Sequence, residues 1–557
     1  MGRIIAIGIA GVLLALPLAA GEQPAEPIAA RFTLPKDAFV TVVVDDAAGN
    51  RVRNLIAEQP MKAGENAVVW DGLTESGTPA SPGTYRRRGL YRDKLGLEYQ
   101  FSVYEAGAIP PWFSPGVNVA TDTGWLSDHN PPWSVCAAGE KMFIGALTSE
   151  NGQSLMATDV DGRKLWGMWH IAAAGASDYA YDGRMVYVGG EGQWAGANAY
   201  FFQIDPNTFE LTQIHHNKGF VGIRGLAARD GKLYISSAVQ ERILVFDLAK
   251  KQVASEIPLK RAQGIAFTPD GTLLAITDRT VVVASADGNH KTLINDHLTA
   301  PNRLAVGKDG AIFISDSPKS WYHDTSAEAA VQYDAEPRRF EGDNQIKVFG
   351  GDGRFIRAIG KRRVPGKHDP QAMRCPIGVA VDARGRVWTC EWDMLPKRIS
   401  VWTPEGKLVK EFIGSHKYGG SGSLDPGDKS QMIYDGMLFR LDWAKGTWKL
   451  ESTIVDIMTS ECEAKHVPGG YPNWPTKIVR YKGEQYFAGG SYYGSGSTIW
   501  KRRGDSFAAV GLVGGYQPGS AMEINDGKID TNDLGHRRGR SSRGRSPSGR
   551  RRAFPRR

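Results

Sequence analysis

After residue 25 the apolar residues occur in short runs separated by turns rich in glycine and aspartate, and long segments with a helical period are nearly absent. This pattern predicts an all-β protein, because strands need only a few residues whereas helices need longer periodic segments. One short motif recurs, as Gly225-Leu-Ala, Gly264-Ile-Ala, Arg303-Leu-Ala and Gly378-Val-Ala. The first two intervals are 39 residues each, and the third is 75 because an insertion interrupts that unit. A period of about 40 residues built from strands and turns predicts the blades of a β-propeller.

The propeller is predicted to occupy residues 131–515 and to have seven or eight blades. Four blades are clear, and the others are degenerate. The candidate blades begin near Pro132, Ala174, Gly222, Ala262, Pro301, Pro376, Gln431 and Pro475. The insertion between Ser317 and Asp343 leaves its blade directly after Asp316, so we expect it to overhang the face on which that strand ends.

The clear blades resemble NHL repeats. The segments that carry the resemblance are RLAVGKDGAIFISD with NQIKVFGGDG, and GVAVDARGRVWTCE with RISVWTPEG. They share a start with an apolar residue and alanine, an aspartate-glycine hairpin and a third strand of the Ile-x-Val-aromatic type. In a propeller the innermost strand of each blade lines the central channel and the loops build one recessed face, which is where we expect a site.

A second module, predicted at residues 31–107, precedes the propeller. A strand at Val40–Val44 turns back into Arg51–Leu55, a further strand ends in a Trp-Asp-Gly turn at residues 70–72, and a Pro- and Gly-containing reversal leads to Tyr85. The pieces VTVVVDDAAGNRVRNL, AGENAVVWDG and SGTPASPGTY resemble the immunoglobulin-like domain of the bacterial flagellar hook-capping protein. The resemblance implies a small β-sandwich, which we expect to act as a spacer or to dock envelope proteins. The joint arrangement of both modules resembles secreted proteins of planctomycete-type bacteria.

Residues 1–21 have the features of a secretory signal peptide. Arg3 precedes an apolar run from Ile4 to Leu18, and Ala19-Ala20-Gly21 supplies the small residues for cleavage. The run is shorter than the ~20 residues of a membrane-spanning helix. We therefore expect a secreted or periplasmic protein without a membrane span.

The net charge of +8 belongs to the C-terminal tail. Residues 537–557 contain ten arginines and no acidic residue, so the rest of the chain carries −2. A nearly neutral body argues against a specific nucleic-acid-binding fold. We predict that residues 536–557 are disordered, and they are either a tether to anionic polymers or a frame-shifted end of the reading frame. We favour the second interpretation.

Aligning the blades on their hairpin turns places two columns of polar residues at one end of the channel. We expect them to bind a glycan or another small polar ligand, because guanidinium groups bind carboxylates and amides match hydroxyls. The predicted ligand-binding residues are Arg224, Gln263, Asn302, Arg303, Arg374, Asp316 and Glu391.

Three functions remain open on this basis. The first is a non-catalytic binding or scaffold protein whose propeller face holds a glycan or sugar acid. The second is a propeller hydrolase or lyase of the lactonase or polysaccharide-lyase type, with Asp316 or Glu391 as the catalytic base. The third is a purely structural envelope protein, and a polar channel lining is also what channel waters require.

Two further sites are suggested by spacing. Cys375 and Cys390 flank a hairpin with its turn at residues 382–385, so they form either a disulfide or two buried thiols. Residues 522–535 resemble a degenerate EF-hand or dockerin loop, in which Asp526 and Asp533 fall at ligand positions while Met522 and Ile524 cannot bind calcium. No other cofactor is expected.

Overall fold

The computed structural model describes these parts of the chain: residues 12–13, 27–96, 98, 100–103, 127, 131–146, 153–169, 175–191, 198–218, 222–317, 343–364, 366–391, 396–414, 422–454, 475–490, 497–513, 521–525 and 528–532. None of these residues lies in a helix, which confirms the all-β class. The chain forms two compact units, Met1–Tyr99 and Gln100–Arg557.

The first unit is a small β-sandwich, as the sequence predicted. One sheet pairs Ile28–Leu34 with Gly64–Trp70, and the other has the order Val12–Leu13, Tyr85–Arg92, Ala38–Asp46, Arg51–Met61. Alternate residues of the strands point inward, so the core between the sheets contains Leu34, Val40, Val42 and Val68. Trp70 is buried and meets the ring of Tyr85 edge-on, with 4.9 Å between centroids. Trp70 is therefore a buried residue of the sandwich, and the partly exposed Tyr85 packs against it.

In its described residues the second unit contains seven four-stranded antiparallel sheets and one with five strands, and all but the five-stranded sheet begin within four residues of a predicted blade start. The first three are Ser134–Ala138, Lys141–Gly145, Leu155–Asp159 and Lys164–Met168; Asp178–Tyr181, Val186–Glu191, Asn198–Ile204 and Leu211–Lys218; and Ile223–Arg229, Lys232–Ser237, Arg242–Asp247 and Gln252–Pro258. The next three are Ala262–Phe267, Leu273–Thr277, Thr280–Val283 and Lys291–Ile294; Pro301–Val306, Ile312–Asp316, Gln345–Phe349 and Phe355–Ile359; and Pro376–Val381, Val387–Glu391, Lys397–Trp402 and Leu408–Gly414. We number these six sheets as blades 1 to 6.

Two more sheets follow blade 6, and we call them the annex sheets. They consist of Gly422–Leu424, Gln431–Tyr434, Met437–Asp442 and Thr447–Thr453, and of Lys477–Tyr481, Glu484–Gly490, Ser497–Arg503 and Ser506–Val513. The short strand Gly366–Lys367 adds to the first annex sheet, and Lys361–Arg362 pairs in parallel with Ala372–Met373. The annex sheets bury Leu438, Phe487 and Trp500 between them.

The ring of the propeller closes with six blades. The first strand of each blade contacts the first strand of the next, and the first strand of blade 6 contacts that of blade 1. Eight blade-like sheets are present as predicted, but the annex sheets stand outside this cycle, so the ring is smaller than the seven or eight blades expected. The physical reason is that blade 6 is already sealed against blade 1: Gly378 lies so close to Trp133 that an added Cβ would be 3.0 Å from its carbonyl oxygen.

Cys375 and Cys390 are two buried free thiols, the second of the two alternatives left open by the sequence. Cys390 pairs with Gly378 across the hairpin, so Cys375 is displaced along the strand by three residues. At about 3.3 Å per residue this offset exceeds the Cα separation that a disulfide spans. The Cys390 thiol instead lies 3.7 Å from the carbonyl oxygen of Ser134 in blade 1, where it helps to close the ring.

The hairpin turns between first and second strands follow the predicted aspartate-glycine pattern. In blade 6 the Asp382 carboxylate accepts the N–H groups of Arg384 and Arg386, both at 2.9 Å, and Gly385 has a φ of 78°. A side chain would be strained at that φ, which explains the glycine.

Several predicted segments lie wholly or largely outside the described residues. They include most of the signal peptide, the insertion at 318–342, Asp526 and Asp533, and the tail. The residues around the predicted calcium loop form a hairpin that pairs Ala521–Asn525 with Lys528–Asn532.

Candidate functional site: the waist of the channel

One position of the repeat lies where neighbouring first strands of the channel wall come into contact. This position is the residue before the apolar-alanine pair in each first strand, and we call it the waist position. Its six members, in ring order, are Ser134, Asp178, Gly225, Gly264, Arg303 and Gly378. Ser134-Val-Cys and Asp178-Tyr-Ala are therefore the two copies of the motif that the sequence repeat did not reveal.

Three waist positions are glycine because neighbouring first strands touch there. A Cβ on Gly225 would lie 2.8 Å from the backbone nitrogen of Ile265 in the next blade. A Cβ on Gly264 would lie 2.7 Å from the Cα of Arg303. These contacts are closer than real Cβ atoms make, so the glycines let the blades pack tightly around the channel.

The two charged waist residues meet across the ring. Arg303 of blade 5 donates from Nη2 to the carbonyl oxygen of Ser177 in blade 2 at 2.7 Å, and its Nε lies 3.5 Å from Asp178 Oδ1. The Arg303 guanidinium also lies 5.9 Å from the ring centroid of Trp133, within cation–π distance. Arg303 and Asp178 are only 6% and 8% exposed. Because blades 2 and 5 are opposite in a ring of six, the pair spans the channel.

Asp178 also binds the channel wall. Its Oδ2 accepts the N–H of Leu226 in blade 3 at 2.8 Å. Burial raises the pKa of Asp178 above its ordinary value, while the Arg303 charge and this N–H oppose the rise by favouring the carboxylate. One carboxylate thus links blades 2, 3 and 5.

A cavity of about 250 Å³ adjoins the waist. It is lined by the first strands of all six blades and runs from Asp178 and Arg303 toward the hairpin-turn end, where Tyr181, Phe267 and Val381 lie. Each first strand is the edge strand of its sheet, so its outer edge has backbone N–H and C=O groups that the sheet does not use, and Asp178 accepts one of these N–H groups, that of Leu226. The cavity therefore combines many neutral donors and acceptors with one ion pair.

The titratable groups on the cavity wall other than the ion pair are neutral at pH 7. Burial, and secondarily the Asp178 charge, raises the pKa of the Cys136 thiol to about 12. Burial likewise raises the pKa of the Tyr179 and Tyr181 hydroxyls. The net charge of the wall is thus set by Asp178 and Arg303.

Of the seven predicted ligand-binding residues, Arg303 is the one that lines this cavity. The other six cluster at the opposite end of the channel, where first strands begin and second strands end. Arg224 and Arg374 are buried there, and Gln263 is partly buried with its carbonyl oxygen accepting the Ser236 hydroxyl at 2.5 Å. These six residues thus lie at one end of the channel, and the cavity extends toward the other end.

Asp316 and Asn302 hold the loop that enters blade 5. The buried Asp316 carboxylate accepts the N–H groups of Thr299 and Ala300. Burial raises the pKa of Asp316, and these two N–H groups oppose the rise. Asn302 donates to the carbonyl oxygens of Ala300 and Ser317. Both side chains therefore bind their own scaffold.

Glu391 belongs to a buried charge network in blade 6. It is paired with Arg398, whose Nε also donates to Glu411 at 2.7 Å, and it accepts the N–H of Arg374 at 2.9 Å. His368 Nε2 lies 2.9 Å from Glu411, and the backbone N–H of His368 donates to the carbonyl oxygen of Glu451 in the first annex sheet at 2.7 Å. This network fastens blade 6 to the annex.

Sequence reasoning missed Asp178, Trp133 and Cys136. A signal was present, since Ser134-Val-Cys stands 44 residues before Asp178-Tyr-Ala, which stands 47 residues before Gly225-Leu-Ala. It was hidden because neither triplet keeps the aliphatic-alanine pair of the four recognised copies: cysteine replaces the alanine in the first, and tyrosine replaces the aliphatic residue in the second. Among the described residues there is no group of three or more side chains suited to a metal ion. Nor does any helix in the described part of the chain have the length and hydrophobicity to span a membrane.

A family model of the FlgD Ig-like domain matches residues 19–88. The comparison with curated proteins finds no match. Solved structures with similarity include the nidogen/laminin complex (15% identity, 51% of this chain and 92% of that chain, TM-score 0.33) and the RRP9 WD40 repeats (12%, 57% and 89%, TM-score 0.34). Kuenenia stuttgartiensis hydrazine synthase is a third (14%, 62% and 100%, TM-score 0.33).

Proposed function

We propose that this chain is an exported, non-catalytic binding protein whose propeller channel holds a small polar ligand, either a sugar or a sugar acid. The observation that carries the proposal is the cavity of about 250 Å³ that ends on the Asp178–Arg303 pair. Its volume is slightly below the range of ~300–1,000 Å³ typical of small-molecule pockets, which suits a ligand of about one sugar ring.

The chemistry of the wall supports a ligand rich in hydroxyl groups. Backbone edges offer separate donors and acceptors, and a hydroxyl group matches either because it both donates and accepts. Asp178 adds a strong acceptor, and the Arg303 fork adds strong donors. Charge-assisted hydrogen bonds of this kind fix the orientation of a ligand within the channel.

The bonding of the two candidate catalytic carboxylates favours binding over hydrolysis or lyase chemistry. Asp316 accepts two backbone N–H groups, and Glu391 is paired with Arg398. A general base needs an oxygen within reach of a substrate proton. Both carboxylates use their oxygens for contacts within the scaffold, so neither is poised for proton transfer.

The Ig-like module completes the proposal as a spacer or docking module. A compact sandwich that precedes a ligand-binding propeller would attach the protein to envelope components, while the propeller presents the channel. In this proposal the purely structural role is the outcome left if no ligand binds.

The test is a calorimetric and thermal-shift titration of the purified chain with neutral sugars and sugar acids. Arg303→Lys keeps the positive charge but removes the planar fork, so it is expected to weaken binding by about 10-fold or more. The matched control is Arg261→Lys, because Arg261 forms an exposed ion pair with Asp278 at 2.9 Å. Equal affinities of the two variants would place the ligand elsewhere, and silence of the wild type across both classes would leave the structural role.

A further inference from the structure

Asp178 and Arg303 are the two charged residues on the cavity wall, and what they imply for the choice of ligand rests on the proposed function. Around the ring, four of the six waist positions are glycine or serine. The two charged ones carry opposite signs and face each other across the channel. The cavity thus has no net charge of its own.

The guanidinium of Arg303 is already engaged on two sides. Nη2 donates to the carbonyl oxygen of Ser177, and Nε lies beside Asp178. An incoming carboxylate that approached the same guanidinium would come close to the Asp178 carboxylate at the bottom of the cavity. Like charges at such separations are costly where water is excluded.

A neutral hydroxyl group meets no such penalty. It can donate to Asp178 and accept from Arg303 or from a backbone N–H without disturbing the pair. We propose that the channel selects neutral polyols of about one sugar ring over the corresponding sugar acids, and that Asp178 is the residue that excludes the acids.

The proposal predicts that selectivity can be inverted by one substitution. Asp178→Asn keeps the size of the side chain and an oxygen for the Leu226 N–H, but it removes the negative charge. The wall then carries the positive charge of Arg303 alone, and a carboxylate becomes the favoured partner of the guanidinium fork.

The experiment uses matched pairs of ligands: glucose with glucuronate, galactose with galacturonate, and mannose with mannuronate. Affinities are measured by calorimetry on the full chain for the wild type, Asp178→Asn and Asp278→Asn. Asp278→Asn is the matched control, because it makes the same change in the exposed Arg261–Asp278 pair. Circular dichroism and urea titration confirm that each variant is folded.

In the wild type and in the Asp278→Asn control, we expect the neutral sugar to bind at least about 10-fold tighter than the corresponding sugar acid. The acid is repelled by the Asp178 carboxylate, and even part of that repulsion is enough for a roughly 10-fold difference in affinity. In Asp178→Asn the ratio of the two affinities is expected to move by about 10-fold or more toward the acid.

A wild type that prefers the acid overturns this inference while the proposed function stands. An unchanged affinity ratio in a folded Asp178→Asn variant does the same. Failure of every sugar and acid to bind overturns the proposed function itself. If Asp178→Asn does not fold, the ratio measured for the wild type decides.

Discussion

The six ring blades and the two annex sheets are the same four-stranded meander with different outcomes. In the ring, each first strand packs between two neighbouring first strands, and glycine, serine or the charged pair occupies the waist position. The annex sheets also share a core, which includes Leu438 and Phe487, just as neighbouring ring blades do. Their first strands, however, contact each other rather than the first strands of the ring. A repeated meander is therefore insufficient to make a blade. The ring also needs a position at which neighbouring backbones touch.

The largest expected effect comes from leaving one charge of the waist unpaired. Arg303→Met keeps much of the side-chain volume but leaves the buried Asp178 carboxylate without its guanidinium. We expect the free energy of unfolding to fall by about 3–5 kcal/mol, the usual result of breaking a buried pair from one side. Urea denaturation measures it, and a loss under about 1 kcal/mol, the value for surface pairs, would contradict the buried contact.

The next effect concerns the junction of ring and annex, and it depends on pH. Hydrogen bonds from His368 and Arg398 outweigh the effect of burial and lower the pKa of Glu411 from 4.5 to about 2. Because the folded pKa lies below the unfolded one, this stabilisation is complete above pH 4.5 and is lost as pH falls toward 2. The shift corresponds to at most about 3 kcal/mol.

Glu411→Gln should therefore flatten the decline in unfolding free energy between pH 5 and pH 2, as measured by urea titration at each pH. Glu256→Gln is the control, since it removes an exposed carboxylate of blade 3 that pairs with Arg242. Parallel pH profiles of the wild type and Glu411→Gln would show that the network does not hold the junction.

A smaller effect distinguishes glycines of the ring from a glycine of the annex. Gly264→Ala forces a methyl group against the backbone of Arg303, and we expect a loss of about 1–3 kcal/mol, as in other overpacked sites. In Gly511→Ala the new methyl group meets only ordinary contacts, 3.6 Å or more from Ile499. Thermal unfolding of both variants measures the two losses of stability. Equal losses would mean that neighbouring first strands of the ring are packed no more closely than the strands around Gly511.

The smallest effect concerns the thiol that closes the ring. Ser236 and Ser315 stand at the position equivalent to Cys390, and each donates its hydroxyl to a carbonyl oxygen of the next blade. Cys390→Ser should thus be close to neutral, whereas Cys390→Val loses the donor and should cost about 1 kcal/mol. If Cys390→Val were more stable than Cys390→Ser in urea denaturation, the thiol would act by packing alone.

Much of the fold follows from local signals in the sequence. The hairpins, the sandwich and the approximate positions of all eight sheets can be predicted from turn residues and apolar runs that lie within each element's own sequence. The number of blades in the ring is a different kind of property. It depends on which first strands meet, and blade 6 meets Trp133 and Ser134, more than 200 residues earlier in the chain.

The site was only half predictable for the same reason. Arg303 was identified because it replaces a glycine within a visible repeat. Asp178 lies in a degenerate blade, and its importance comes from facing Arg303 across a six-membered ring. Asp316 and Glu391 have the composition of site residues, but their oxygens are used by Thr299, Ala300 and Arg398.

The most direct test of the account is a double-mutant cycle on Asp178 and Arg303, measured as unfolding free energies in urea. The cycle comprises Asp178→Leu, Arg303→Met and the double variant. If the ring has six blades and the pair spans its channel, the double variant should be little less stable than either single variant, with a coupling energy of about 3 kcal/mol. Additive losses, with a coupling below about 0.5 kcal/mol, would mean that the two residues do not meet and that the ring closes differently.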